Sequence, residues 1–229
     1  MDASKCVVLL SGGLDSATAA VVAKSRKFSL FALTFVYGQR HDIEVEFAKK
    51  IANFLGVSSH EIIHLPDCLF KSSSLIRASG KEILNNHTDT IPATYVPARN
   101  IVFLSMALAY AETINASHIF IGVNAVDYSG YPDCRPEFIE AFQNVVYMGT
   151  KSGINGNPII IETPLIRLTK GEIITLGLSL GMDYSLTSSC YNPAKDGSPC
   201  GVCDSCRIRQ KGFLEAGIQD PALHRNYGK

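Results

Sequence analysis

Short runs of apolar residues alternate with segments of helical periodicity along most of this 229-residue chain. The first run, residues 5–10, is almost entirely apolar, which is typical of a central strand in a parallel sheet covered on both faces. When such strands alternate with helices, the helices pack on the two sides of the sheet. The sequence therefore predicts an α/β fold with a Rossmann-like, mostly parallel sheet, helices on both faces and a small cysteine-rich segment at the C-terminus.

The predicted elements follow one another without an internal repeat or a low-complexity segment. Thr169, with Glu172 three residues later, has the spacing of a capping box at the start of a helix. Residues 66–97 show little periodicity, and a loop of that length in a compact domain is usually functional. Strands are expected at 5–10, 28–37, 60–65, 118–123 and 158–163, and helices at 15–23, 41–55, 100–113, 136–147 and 169–180.

The first apolar run ends at Ser11-Gly12-Gly13, and Asp15-Ser16 opens the helix that follows. Parallel sheets bind ligands at the carboxyl ends of their strands. Two glycines allow several backbone N–H groups to face one point, and these donors together with the helix N-terminus form an anion site. The spacing is not that of a Walker loop, which requires a lysine before the Ser/Thr. An ordinary Gly-Gly turn with an Asp-Ser cap is the alternative interpretation.

Four of the seven cysteines lie close together near the C-terminus with the spacing C-x9-C-x2-C-x2-C. Four thiolates at such spacings suit a tetrahedral Zn²⁺ ion, although the triple C-x2-C-x2-C spacing also fits iron–sulfur ligation. A structural zinc site contributes roughly 10–16 kcal/mol to folding, enough to hold a tail that has little core of its own. We predict one structural Zn²⁺ per chain, bound by Cys190, Cys200, Cys203 and Cys206.

Two further stretches are unusually polar for connecting segments. In TYVPARN, residues 94–100, Arg99 and Asn100 enter an apolar helix and either cap it or reach a ligand. In GVNAVDYSGYPDCRPEF, residues 122–138, acidic, aromatic and basic side chains are concentrated after a strand, as in a solvated loop or a pocket for a planar heterocycle. Carboxylates would accept hydrogen bonds from ring N–H groups, tyrosines would stack, and an arginine would pair with a substrate carboxylate.

Two other positions are expected at the same cleft. The segment Tyr37-Gly38-Gln39-Arg40-His41 follows the second strand, so Tyr37 and Gln39 should line it. Lys170 begins a helix after the last strand and is placed to meet phosphate charge, with a solvated lysine as the alternative.

The composition favours a small-molecule ligand over nucleic acid. The chain has 21 basic and 21 acidic side chains, so it lacks the basic excess on which binding to a nucleic-acid backbone usually depends. No apolar run approaches the ~20 residues of a membrane span, and no signal peptide pattern opens the chain. An odd number of cysteines argues against a disulfide framework. We therefore expect a cytoplasmic protein that binds neither nucleic acid nor membrane.

SGGLDS resembles the SGGxDS loop of the ATP pyrophosphatase (PP-loop) superfamily, which holds the pyrophosphate end of ATP. Together with YGQRH, YVPARN, DYSGYPDCRPEF, TPLIRLTKGEI and the four-cysteine tail, in this order over nearly the whole chain, it is similar to the 7-cyano-7-deazaguanine synthase family of queuosine precursor biosynthesis. The resemblance implies an ATP-dependent ligase that converts 7-carboxy-7-deazaguanine and ammonia into a nitrile through an adenylated acid and an adenylated amide. It also implies ATP with Mg²⁺, a homodimer, an ATP pyrophosphatase-type domain over residues 1–184, and a zinc-binding tail over residues 185–229 packed on it.

The resemblance assigns roles to individual residues. The catalytic residues would be Ser11, Asp15, Arg99 and Lys170. The ATP site would comprise Val8, Leu9, Leu10, Ser11, Gly12, Gly13, Leu14, Asp15, Ser16, Ala17 and Thr18. The substrate would contact Tyr37, Gln39, Asp127, Tyr131, Asp133 and Arg135, with Arg135 on its carboxylate.

Two other functions remain open on the sequence alone. A tRNA-modifying enzyme of the same superfamily would adenylate a base and insert sulfur, and it would need a basic surface and free catalytic cysteines. A non-catalytic, zinc-dependent interaction module would turn over no ATP, and it leaves SGGLDS unexplained.

Overall fold

The centre of the computed structural model is a parallel sheet with the strand order β3-β2-β1-β4-β5. The structure describes residues 3–39, 43–80, 91, 94–126, 131–194 and 197–224. The predicted fold class is confirmed, since all neighbouring strands pair in parallel. The strands are β1 (Lys5–Leu9), β2 (Ser29–Val36), β3 (Ser59–His64), β4 (His118–Phe120) and β5 (Ile160–Glu162).

Helices cover both faces of this sheet. They are α1 (Leu14–Ser25), α2 (Ile43–Leu55), α3 (Arg99–Ile114), α4 (Pro136–Gly149), α5 (Lys151–Ile154), α6 (Lys170–Ser179) and α7 (Asp204–Glu215). Side chains of α1, α2, α6 and α7 contribute to the core on one face, and those of α3 and α4 to the core on the other. Among the described residues, no helix combines the length and apolar character needed to cross a membrane.

β1 shows why the first run of the sequence is apolar from Cys6 onward. Cys6 and Val8 belong to the core on the side of α1, while Val7 and Leu9 belong to the core on the side of α3. A strand between two other strands with helices on both faces has no solvent-exposed side, so alternation of polar and apolar residues is absent.

Most predicted elements occur, with shifted ends. The capping box at Thr169 is present, because its hydroxyl accepts from the Glu172 N–H while the Glu172 carboxylate accepts from the Thr169 N–H at 2.8 Å. The predicted strand 118–123 ends at Phe120, where the chain turns toward α1. A Cβ on Gly122 would lie 2.8 Å from the backbone carbon and oxygen of Asp15.

Two helices had not been predicted, α5 and α7. α5 is one turn long, and α7 has only a few apolar residues among charged ones, so neither has a clear apolar stripe. Phe213 of α7 nevertheless lies in the same core as β1 and α1. Helix α7 is thus packed on the sheet domain. The division into two domains between residues 184 and 185 stays a prediction.

Candidate active site

A cleft lies at the carboxyl ends of the strands, where the strand order changes direction. The chain continues from β1 to β2 on one side and returns to β4 on the other, which is the point where α/β sheets bind ligands. The cleft has a volume of about 250 Å³. Most of the side chains predicted to form the site reach it, together with several that had not been predicted.

The loop after β1 is organised around the hydroxyl of Ser16. This oxygen accepts hydrogen bonds from the Ser11 backbone N–H at 3.1 Å and from the Ser11 hydroxyl at 3.0 Å, and it donates to the Gly13 carbonyl at 3.0 Å. Gly12 has a φ of 85°, and a Cβ there would collide with the backbone of Glu44. Only glycine fits that position. The Gly12 carbonyl also accepts from the Ser188 N–H at 2.9 Å, so a segment next to the cysteine cluster holds the loop.

The predicted ATP site divides into residues at the cleft and residues behind it. Leu9, Leu10, Ser11, Gly13, Leu14, Asp15 and Ser16 line the cleft. Val8, Gly12, Ala17 and Thr18 are buried behind that surface, where the Thr18 hydroxyl contacts the hydroxyl of Tyr184 at 2.7 Å. The second group therefore supports the loop from inside the domain.

Lys170 lies behind the loop and forms an ion pair with Asp15. Its Nζ donates to the two Asp15 carboxylate oxygens at 2.6 and 2.8 Å, with side-chain exposures of 6% for Lys170 and 19% for Asp15. Asp15 lines the cleft, whereas the lysine is buried beneath it. The predicted contact between Lys170 and phosphate stays a prediction, because the observed contact is with Asp15.

Arg99 begins α3 with its side chain in the cleft, where its Nη1 donates to the Tyr37 hydroxyl at 3.4 Å. The α3 N-terminus is capped from another segment, since Asp133 Oδ2 accepts from the Asn100 backbone N–H at 3.0 Å. An acidic group at this end of a helix also compensates the helix dipole. The sequence had suggested that Arg99 or Asn100 caps the helix, but the carboxylate at its N-terminus is that of Asp133.

Glu44, at the start of α2, lines the cleft and had not been predicted from the sequence. Burial raises the pKa of its carboxyl to about 7, although nearby Arg99 favours the charged form. Burial also raises the pKa of Tyr37, so its hydroxyl stays protonated at neutral pH. Glu44 resembled any charged residue of an amphipathic helix. The available signal was its position three residues after the end of the YGQRH segment.

The remaining predicted substrate residues occupy different environments. Tyr131 lines the cleft, and its hydroxyl contacts the Thr94 hydroxyl at 2.8 Å. Gln39 also lines it, but its amide braces the chain by accepting from the Tyr37 N–H and donating to the Phe35 carbonyl. Arg135 is exposed, and its Nε donates to the Pro132 carbonyl at 3.3 Å. Asp127 lies outside the described residues.

The four predicted metal ligands come together beside the cleft. The Sγ atoms of Cys190, Cys200, Cys203 and Cys206 all lie within 4.8 Å of one another. Zinc–sulfur bonds of about 2.3 Å in a tetrahedron separate the sulfurs by about 3.8 Å, so the cluster fits one such ion. The N–H groups of Asn192 and Cys200 donate to Cys190 Sγ, as backbone donors do around metal thiolates. The cluster can therefore hold one metal ion, and Cys190 also lines the cleft.

Comparison with known proteins gives consistent matches over nearly the full length. The family model described as queuosine biosynthesis protein QueC matches residues 5–217. The 7-cyano-7-deazaguanine synthase of Desulfatibacillum aliphaticivorans is 54% identical over 224 residues, covering 96% of this chain and 96% of that protein. The synthase of Magnetococcus marinus is 55% identical over 219 residues, with the same coverage of both.

Solved structures with low sequence identity share the fold. An NMN synthetase from Francisella tularensis has a TM-score of 0.51 at 18% identity, over 95% of this chain and 79% of that chain. A 4-thiouridine synthetase in complex with RNA and bound ATP has a TM-score of 0.53 at 17% identity, over 93% of this chain and 50% of that chain. Since identity is this low, these likenesses concern the arrangement of strands and helices.

Proposed function

Because the chain belongs to the family of queuosine biosynthesis protein QueC, we propose that it acts as a 7-cyano-7-deazaguanine synthase. In this proposal it is an ATP-dependent ligase that converts 7-carboxy-7-deazaguanine and ammonia into the nitrile and releases AMP and pyrophosphate. The observation that supports this most directly is the hydrogen-bonded loop between Ser11 and Ser16, which opens into the cleft at the strand ends.

The first half of the proposed reaction activates the acid. A carboxylate oxygen of the substrate attacks the α-phosphorus of ATP, and the bond to pyrophosphate breaks. The loop N–H groups, the Ser11 hydroxyl and the α1 N-terminus would stabilise the charge on the departing pyrophosphate. Mg²⁺ that accompanies ATP would supply further positive charge for this step. Ammonia then attacks the acyl adenylate, loses a proton and displaces AMP, which leaves the amide.

The second half repeats the activation on the amide. The amide oxygen attacks the α-phosphorus of a second ATP, and pyrophosphate leaves again. Loss of the remaining N–H protons and departure of AMP then give the carbon–nitrogen triple bond of the nitrile. One loop serves both halves, because the phosphates and the leaving group are the same in each.

Four cationic or aromatic side chains have proposed roles in this chemistry. Arg99 points into the cleft and would neutralise charge that develops on the α-phosphate. Lys170 would act indirectly, because its ion pair holds the Asp15 carboxylate in position at the cleft. Tyr37 and Tyr131 would pack against the planar ring. Asp127, Asp133 and Arg135 remain proposed substrate ligands, although Asp133 and Arg135 contact protein groups in the structure.

The cysteine cluster is proposed to bind one structural Zn²⁺. Four sulfurs at this separation leave a tetrahedral ion no open position, so the ion would stabilise the tail and take no part in the reaction. The ion would also hold the segment of Ser188, whose N–H donates to the Gly12 carbonyl of the phosphate loop.

A homodimer is proposed on the basis of the family, and the exposed surface of α4 and α5 supports it. Val145 and Met148 are exposed three residues apart on α4, and Ile154 is exposed on α5. Contiguous exposed apolar residues are typical of an interaction surface.

The sulfur-inserting alternative is less consistent with the thiols. Burial raises the pKa of Cys6 and of Cys134 to about 12, so both are neutral thiols at neutral pH and poor nucleophiles. The Sγ atoms of the other four lie together in the cluster that could hold a metal ion. Of the seven, only Cys68 is exposed.

The test of the proposed function is a direct incubation. The protein is mixed with ATP, Mg²⁺, ammonium and 7-carboxy-7-deazaguanine, and the products are analysed by mass spectrometry. We expect the amide and then the nitrile, with AMP formed in both steps, and no nitrile when ammonium is omitted. A folded, metal-loaded protein that forms neither AMP nor nitrile would contradict the proposal.

A further inference from the structure

The cleft contains a carboxylate that is not committed to a protein partner. Within the described residues, the Glu44 side chain makes no hydrogen bond and no ion pair, although it lines the cleft. Two other acidic groups of the described residues lie near the cleft, and both have partners. Asp15 is paired with Lys170, and Asp133 accepts from the backbone of α3.

The position of Glu44 is fixed by the loop. Its backbone carbonyl lies against Gly12, so the start of α2 and the phosphate loop are packed directly on each other. The side chain is partly exposed, as expected for a group that faces a cleft rather than the core. An ionisable group held in this place without a partner incurs the cost of desolvation and gains no hydrogen bond in return. A ligand that supplies N–H donors would remove that cost.

We propose that Glu44 accepts hydrogen bonds from the ring N–H and the exocyclic amino group on the guanine-like edge of the substrate. An ionised carboxylate only accepts, and its two oxygens can take two parallel N–H donors. The guanine-like edge offers two such donors side by side. This inference rests on the proposed function, because it assigns a residue to the substrate of that reaction.

The electrostatic setting favours this role over a structural one. Burial raises the pKa of Glu44 to about 7, and the positive charge of Arg99 opposes the shift. The carboxylate must be ionised to accept from both donors, so substrate binding should weaken below this pKa. Among the described residues, the titratable groups that line the cleft from the other elements are Asp15 on α1, Tyr37 after β2, Arg99 on α3, Tyr131 and Cys134 before α4, and Cys190 and Tyr191 before α7.

The test compares two matched variants on one helix. Glu44→Gln replaces one acceptor with a donor and keeps the shape of the side chain. Glu46→Gln is the control, since Glu46 is 61% exposed and pairs with Lys49 on the surface. Calorimetry measures the affinities for 7-carboxy-7-deazaguanine, for the analogue that lacks the exocyclic amine, and for ATP.

We expect Glu44→Gln to weaken binding of 7-carboxy-7-deazaguanine by about 5- to 150-fold, because a donor then faces a donor in a closed site. Binding of the analogue should fall by a smaller factor, and ATP binding should not change. Glu46→Gln should match the wild type throughout. For the wild type, substrate affinity should fall about tenfold for each pH unit below about 7, as expected for loss of one ionised group.

Two results would overturn the inference. One is an equal loss of affinity for both ring ligands in Glu44→Gln. The other is unchanged substrate affinity in that variant, and a raised KM for ammonium beside it would place ammonia at Glu44. If Glu44→Gln does not fold, Glu44→Asp and the wild-type pH profile test the same assignment. The shorter aspartate side chain keeps the negative charge but places it farther from the substrate ring, so substrate affinity should again fall. A wild type that makes no nitrile would refute the proposed function, whereas normal turnover with unaltered Glu44→Gln binding would refute only this assignment.

Discussion

The Nζ atom of Lys170 lies 2.6 and 2.8 Å from the two carboxylate oxygens of Asp15. This contact joins the first residue of α6 to the first turn of α1, directly behind the loop that follows β1. The aliphatic part of the lysine packs closely on Gly212 of α7. Three helices and the loop after β1 therefore meet at one ion pair, and the orientation of the Asp15 carboxylate in the cleft depends on it.

Removal of one partner of this pair should lower both stability and activity. Asp15→Asn leaves the Lys170 ammonium buried without its counter-charge, and breaking a buried pair in this way costs about 3–5 kcal/mol. Urea unfolding measures the loss, and AMP release measures the activity. The double variant Asp15→Asn/Lys170→Met should recover much of the stability without recovering AMP formation. Full activity in a folded Asp15→Asn protein would show that the carboxylate has no part in the reaction.

The loop hydroxyl of Ser11 should be needed for catalysis and little needed for folding. It contacts Ser16 and the Gly13 N–H at the surface of the cleft. Loss of a positioned donor to transition-state charge lowers a rate by roughly 10²–10³. Ser11→Ala should show this loss in pyrophosphate release while its melting temperature stays close to that of the wild type. Ser25→Ala, at the other end of α1, is the control and should keep full activity.

Much of the fold could be predicted because its signals are local. β1 is apolar from Cys6 to Leu9 since these residues are buried between helices on both faces, and the capping box at Thr169 is contained in four residues. The cysteine spacing likewise brings four sulfurs together with little dependence on the rest of the chain. Such features depend on residues that are close in sequence, so the residue types and their spacing are sufficient to predict them.

Other features depend on contacts between distant segments. Nothing local distinguishes Asp133, which caps α3, from a carboxylate that faces a ligand. Nothing local indicates that Lys170 pairs with Asp15, 155 residues away. Glu44 had the pattern of a surface residue, while its neighbour Glu46 is one. Helix α7 was missed because its packing, through Phe213, comes from the tertiary fold more than from an apolar stripe.

Gly122 should tolerate no side chain. A Cβ at this position would lie 2.8–2.9 Å from backbone atoms of Asp15 and Ser16, which cannot rotate away. Gly122→Ala should therefore displace the start of α1, lower the melting temperature and reduce AMP formation. Gly149→Ala is the matched control, because the nearest atom to its Cβ would be a side-chain carbon of Val145 at 3.9 Å. Equal stability and activity of the two variants would contradict the close packing of the segment after β4 on the start of α1.

The metal should stabilise the tail and protect its thiols. Elemental analysis is expected to give about one Zn²⁺ per chain, as for a closed four-cysteine site. In the native protein only exposed Cys68 should react quickly with a thiol reagent, because Cys6 and Cys134 are buried and their pKa is raised to about 12. A strong chelator should make the clustered thiols reactive and lower the melting temperature.

Cys203→Ala separates this role from catalysis. The variant should lose the metal and much of its stability, since metal binding in such sites is coupled to folding. At a temperature where it remains folded, its rate of AMP formation should fall far less than that of Ser11→Ala, because a closed four-cysteine site leaves the metal no open position for substrate. Cys68→Ala is the control and should change neither metal content nor stability. Iron and sulfide in the purified protein, or a stable chain with no metal, would exclude a structural zinc site at these four sulfurs.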